Sequence, residues 1–94
     1  MKAMVLKSPR ALGQEEVECP LIEDGTTLVR ITHSGVCGTD LKIYQGGIPV
    51  NYPRIMGHEM IGEVVDVGGD SGIHEGSRVI IDPVFYCGHC YQCH

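Results

Sequence analysis

Tryptophan is missing from this 94-residue sequence, Phe85 is its one phenylalanine, and no apolar run approaches the length that crosses a bilayer. The interior must therefore be built from aliphatic side chains. Basic residues are also scarce. Seven Lys and Arg stand against twelve Asp and Glu, a net charge of −5 with no basic cluster. That balance argues against nucleic acid and against an anionic membrane surface as partners. The N-terminal stretch, with Lys2 and Lys7 around a very short apolar run, is too brief for a secretory signal. Without an export signal the expected compartment is the cytoplasm, where thiols stay reduced. The five cysteines then suit metal ligation better than disulfides.

Glycine, by contrast, is abundant at 13 residues, which favours turns and close backbone approach over long helices. The length fits one small domain, residues 1–94, with no repeat and no linker. A chain this short buries a modest share of its surface, so a bound metal can contribute to its stability. Apolar residues come in short runs separated by Gly, Pro, Asp and Ser, the punctuation of strands. Strands are expected over 3–7, 28–33, 61–67 and 78–81, with turns at Asp24-Gly25 and Gly68-Gly69-Asp70. One short helix is expected over 40–45, capped by Thr39 or Asp40 and ended by Gly46-Gly47. The fold class is mainly β with that single helix. The glycines at 68, 69 and 72 do not match the G-x-G-x-x-G fingerprint and no helical pattern follows them, so they read as a connecting loop.

Two groups of residues carry chemistry. Cys37 follows an expected strand end, and His58 and Glu59 precede the strand that begins near Ile61. Thiolate, imidazole and carboxylate are all accepted by zinc, and a catalytic zinc keeps one position open. Glu59 fits either as a further ligand or as a group behind the ligands. Asp40 is placed to accept the free ring N–H of His58 and so fix its tautomer. Taken singly, a cysteine at a strand end is ordinarily a small core residue, and a cap is an ordinary role for Thr39 or Asp40. The combination is what points to a metal. The second group is Cys87-x2-Cys90-x2-Cys93, three sulfurs in one tight loop, a spacing open to tetrahedral zinc or to an iron–sulfur cluster. The fourth Cys and the Pro of the bacterial ferredoxin run do not follow, which weighs against iron. His94 adjoins Cys93, and neighbouring side chains chelate one ion poorly. Cys19, His33, His74 and His89 have no comparable setting and read as loop or surface residues.

Gly35-Val36-Cys37-Gly38-Thr39-Asp40, then Tyr52-Pro53-Arg54-Ile55-Met56-Gly57-His58-Glu59 with Gly62, and then the three spaced cysteines, follow one another in a recognisable order. In that order they resemble the zinc-dependent medium-chain alcohol dehydrogenases, and the polyol and threonine branch more than the vertebrate enzymes. The resemblance runs over essentially the whole chain. It implies a GroES-like domain, a partial β-barrel, normally followed by a nicotinamide-binding Rossmann domain that is not in this sequence. It further implies that Cys37 and His58 bind the catalytic zinc, with Glu59 a ligand in polyol-type members. Thr39 would supply the hydroxyl that relays the substrate proton, and Asp40 the partner of the zinc histidine. Cys87, Cys90 and Cys93 would be three of four ligands of a structural zinc. The cofactors implied are Zn2+ and NAD(P), the substrate a small alcohol or polyol, and the assembly a homodimer or homotetramer.

Two departures stand out. Lys42 occupies a position where many relatives extend the relay with His, and Gly76-Ser77-Arg78-Val79 replaces a loop carboxylate by a hydroxyl, a change expected to be structural. The resemblance also places a third catalytic-zinc ligand, a fourth structural cysteine and the cofactor-binding half beyond residue 94. The expectation is that this 94-residue chain alone does not oxidise an alcohol. The alternative is a standalone zinc-binding or interaction module. It needs no cofactor domain, but it leaves Cys37, Thr39 and His58 at family positions without a reason.

Overall fold

The computed structural model describes residues 1–93, so His94 and any ligand role for it lie outside the described residues. The chain runs β1 (Lys2–Leu6), β2 (Leu12–Glu16), β3 (Thr27–Gly35), α1 (Gly38–Gln45), β4 (Arg54–Ile55), β5 (Glu59–Val67) and β6 (Arg78–Ile81), then a 3-10 turn at Tyr91–Cys93. The strands form two antiparallel three-stranded sheets, ordered β2-β1-β4 and β3-β5-β6. The mainly β class with one helix is as expected, and the sheets do not close into a barrel.

All four expected strands are present with ends shifted by a residue or two, and β2 and β4 are additions. β2 reads Leu-Gly-Gln-Glu-Glu and lies along the edge of its sheet. Its polar side chains carry no apolar alternation, and pairing with β1 holds it as a strand. β4 is only two residues, Arg54 and Ile55 opposite Leu6 and Val5. Its pairing continues as the Met56 N–H donates to the Met4 carbonyl at 3.0 Å. The segment that leads to His58 is thereby tied to the first sheet, while Glu59 onward belongs to the second.

The interior is small. Val5, Leu6, Ile43 and Val64 are the buried apolar side chains among the described residues, and Leu6 is fully enclosed at 0% exposure. Strands β3 and β5 approach closely at Gly62, where a Cβ would collide with the Val29 side chain and the Arg30 carbonyl. The main chains of Gly76 and Ser77 bond to Val64, so the Ser77 turn pins the buried middle of β5.

Helix α1 starts earlier than its sequence signals. Cys37 is the N-cap, in extended conformation, and Asp40 sits three residues on at N3, where Oδ2 accepts the Cys37 N–H at 3.1 Å. This corrects the expectation that Thr39 or Asp40 would cap. The reciprocal bond from an N3 carboxylate is half of a capping box, and it secures the first turn although the cap residue is not a favoured one. Gly46, at φ 84°, ends the helix in the left-handed region as expected, with Gly47 N–H returning to the Lys42 carbonyl. The Arg10 N–H donates to the Tyr44 carbonyl at 2.7 Å and fastens the helix end to the β1–β2 turn.

Candidate metal centre

Strand pairing assembles the first group. Gly35, the last residue of β3, lies opposite Glu59, the first residue of β5. Cys37 is two residues beyond one strand end and His58 one residue before the other. An antiparallel register with Gly35 facing Glu59 therefore delivers both side chains to the same end of the second sheet. Gly57 makes the approach possible. It adopts φ 114°, which side-chain-bearing residues avoid, and a Cβ there would meet the Ser34 hydroxyl at 3.0 Å.

The Cys37 Sγ lies 3.1 Å from His58 Nε2, and His58 Nδ1 lies 3.1 Å from Asp40 Oδ1. Asp40 is the one buried charged residue among those described, at 8% exposure. Its two oxygens divide the work: Oδ2 holds the Cys37 backbone and Oδ1 receives the imidazole Nδ1–H. With that proton fixed on Nδ1, Nε2 faces the sulfur with its lone pair free. Donor atoms of Cys37, His58 and Glu59 all lie within 4.8 Å of one another. Bond lengths of about 2.3 Å to sulfur and about 2.1 Å to nitrogen at a tetrahedral angle separate S and N by about 3.6 Å. The pair needs to open by about half an ångström to admit an ion, so the donor set fits zinc in kind and in spacing.

Electrostatics point the same way. The Asp40 N–H is the main influence that lowers the Cys37 thiol from its ordinary 9.0, against partial burial and with smaller help from the Thr39 hydroxyl. Thr39 is thus brought beside the sulfur. For His58, burial alone would lower the imidazole, but the charges of Asp40 and then Cys37 outweigh it and the pKa is raised above 6.5. A metal entering here competes with the proton that thiol and ring share. Lys42, by contrast, stands exposed on the helix. A cleft of about 650 Å3 opens beside His58 and Glu59, walled by Ile61, Ile80 and Ile81.

The second group is also assembled. The Cys90 and Cys93 sulfurs are 3.4 Å apart, and those of Cys87 and Cys93 are 3.7 Å apart. Sulfurs sharing a tetrahedral zinc are separated by about 3.8 Å, so three corners of such a site exist. All five cysteines are free thiols, and Cys19 stands exposed. The Cys87 thiol is lowered to about 7, chiefly by the His89 backbone N–H and next by Cys90. His89, which sequence alone left as a loop residue, also bonds through Nδ1 to the Cys87 carbonyl at 2.9 Å. The signal was available: in a C-x2-C loop the residues between the two cysteines turn their N–H groups toward the first sulfur.

Residues 23–94 match the family described as the alcohol dehydrogenase GroES-like domain. The chain is 41% identical over 99% of its length to an uncharacterized zinc-type alcohol dehydrogenase-like protein of Haemophilus influenzae, covering 28% of that protein. Among solved structures it superposes with a TM-score of 0.89 on a cobalt- and zinc-bound thermostable alcohol dehydrogenase from Pyrobaculum aerophilum. That match is 33% identical and covers 99% of this chain and 30% of the other. A putative zinc-binding dehydrogenase from Sinorhizobium meliloti bound to NADP gives a TM-score of 0.87 at 35% identity, covering 98% and 27%. The chain belongs to the alcohol dehydrogenase GroES-like domain family. Its relatives are zinc-type oxidoreductases, and it spans under a third of the length of each of these three. No helix among the described residues is long and apolar enough to cross a membrane.

Proposed function

We propose that residues 1–94 are the N-terminal, zinc-binding part of a GroES-like catalytic domain. The domain belongs to an oxidoreductase that transfers hydride between a secondary alcohol or polyol and NAD(P). One observation carries the proposal: the Cys37 sulfur and the His58 Nε2 meet at 3.1 Å with Asp40 fixed behind the ring. Cys37, His58 and Glu59 hold the catalytic ion, and Cys87, Cys90 and Cys93 hold a structural one. When bound, zinc lowers the pKa of an alcohol hydroxyl and the nicotinamide accepts the hydride.

The chain's own residues do the rest. Asp40 keeps the Nδ1 proton on His58 and so aims Nε2 at the ion. Thr39, beside Cys37, passes the substrate's hydroxyl proton outward. Ile61, Ile80 and Ile81 give one wall of the cleft an apolar surface against which the carbon skeleton of the substrate can pack. A homodimer or homotetramer in the cytoplasm suits such an enzyme, and the free thiols are in keeping with that compartment.

The test is a coupled assay on the full gene product. NAD(P)-dependent oxidation of secondary alcohols or polyols that disappears in Cys37→Ser supports the proposal. Two tightly held zinc ions with no turnover on any such alcohol favour the standalone metal-binding module. Turnover by the 94-residue chain itself would show that nothing further is needed.

A further inference from the structure

Gly35 and Gly62 both sit where β3 and β5 pair, and both lack a side chain for want of room. The obstacles differ. At Gly62 the space is taken by the body of the neighbouring strand, the Val29 side chain and the Arg30 carbonyl. At Gly35 the three nearest atoms to an added Cβ all belong to Glu59: Oε2 at 2.6 Å, Cβ at 3.2 Å and Cδ at 3.6 Å. The Gly35 backbone is not in the left-handed region, so its conformation would accept alanine. The nearest obstacle is Glu59. The Glu59 side chain does not stand away from the strand but folds back across the bare Cα opposite it. In that position its carboxylate lies within 4.8 Å of the Cys37 and His58 donors.

We propose that Gly35 is a positioning residue for the metal centre: the Cβ it lacks is the space through which Glu59 reaches the ion. Any side chain at position 35 displaces the carboxylate from Cys37 and His58, and the centre becomes a two-donor site. The same residue lines both the cleft beside His58 and a second cleft bordered by Met4, Leu41 and Tyr44. The nearest atom a methyl there would meet is the Glu59 Oε2.

The proposal rests on Glu59 being a ligand, and the experiment separates the two. The full gene product is prepared with Co2+ in place of zinc. Its visible absorption spectrum and its metal affinity, by chelator competition, are measured for wild type, Gly35→Ala, Glu59→Ala and the double variant. Gly35→Ala is expected to reproduce the spectral change of Glu59→Ala and to weaken metal binding by about 10-fold or more. In the Glu59→Ala background the same substitution is expected to shift affinity less than about two-fold, since the two effects share one cause. If Gly35→Ala melts early, the double variant recovers part of the lost stability, because the carboxylate at 2.6 Å has gone while the Cβ at 3.2 Å remains. A Gly35→Ala protein with wild-type spectrum and affinity overturns the proposal. So does an equal loss in both backgrounds, or a double variant as unstable as the single one. If Glu59→Ala by itself changes neither spectrum nor affinity, the ligand assignment is what fails.

Discussion

The two candidate metal centres are built by opposite means. Cys87, Cys90 and Cys93 lie within seven consecutive positions, are mostly exposed, and are drawn together by backbone N–H groups of their own loop. Cys37 and His58 are 21 positions apart and come together only because β3 and β5 pair in one register. Behind them stands a buried carboxylate, which the cysteine loop lacks. The first kind of site tolerates error elsewhere in the fold, and the second reports on it. Sulfur donors within one loop suit an ion that holds that loop, whereas mixed donors beside a cleft suit an ion that meets a substrate.

The sharpest way to break this contrast is to remove a ligand from the register-dependent centre. Cys37→Ser is expected to cost about one equivalent of bound zinc together with the proposed dehydrogenase activity, and to leave the other ion in place. Metal analysis of the purified variant checks this, and loss of both ions would show that the sites are not independent. Cys90→Ser should remove the other equivalent and lower the thermal midpoint by on the order of 10 °C, because metal binding there is folding free energy. Calorimetry with and without added zinc distinguishes that from a general loss of fold.

A smaller effect is expected at Asp40. Asp40→Asn keeps an acceptor for the Cys37 N–H but weakens the hold on the imidazole, and zinc affinity should fall by about 10–100-fold with the ligands intact. The mildest test uses the cysteine loop without metal. Cys87 has its pKa depressed to about 7, so its thiolate is populated above that pH and lost below it. After chelation, its alkylation by iodoacetamide should rise with pH through about 7, and zinc should suppress it. A rise centred near the ordinary thiol value would remove the role given to the His89 N–H.

Much of this was legible in the sequence, and the gaps have physical reasons. The four apolar strands announce themselves by composition. β2 does not, because an edge strand held by pairing needs no apolar face, and a two-residue strand such as β4 has no periodicity to display. The cysteine loop can be read directly, since spacing along the chain fixes spacing in space over so few residues. The meeting of Cys37 with His58 was inferable from motif order, but its geometry depends on pairing Gly35 with Glu59, and no local signal sets a register. The helix start was misplaced because a cysteine N-cap breaks the usual preference, and the reciprocal Asp40 bond that compensates for it is a three-dimensional fact. Gly35 was quoted only as part of a motif. Its reason is the carboxylate that crosses it.

Asp40 links two events that would otherwise be separate. One of its oxygens anchors the start of α1 and the other steadies the His58 ring, so unwinding that first turn and tilting the imidazole become a single motion. Occupancy of the ion should therefore be audible in the main chain: the amide proton of Cys37 ought to exchange with deuterated solvent more slowly when the centre is loaded, making a backbone hydrogen the gauge of a side-chain site.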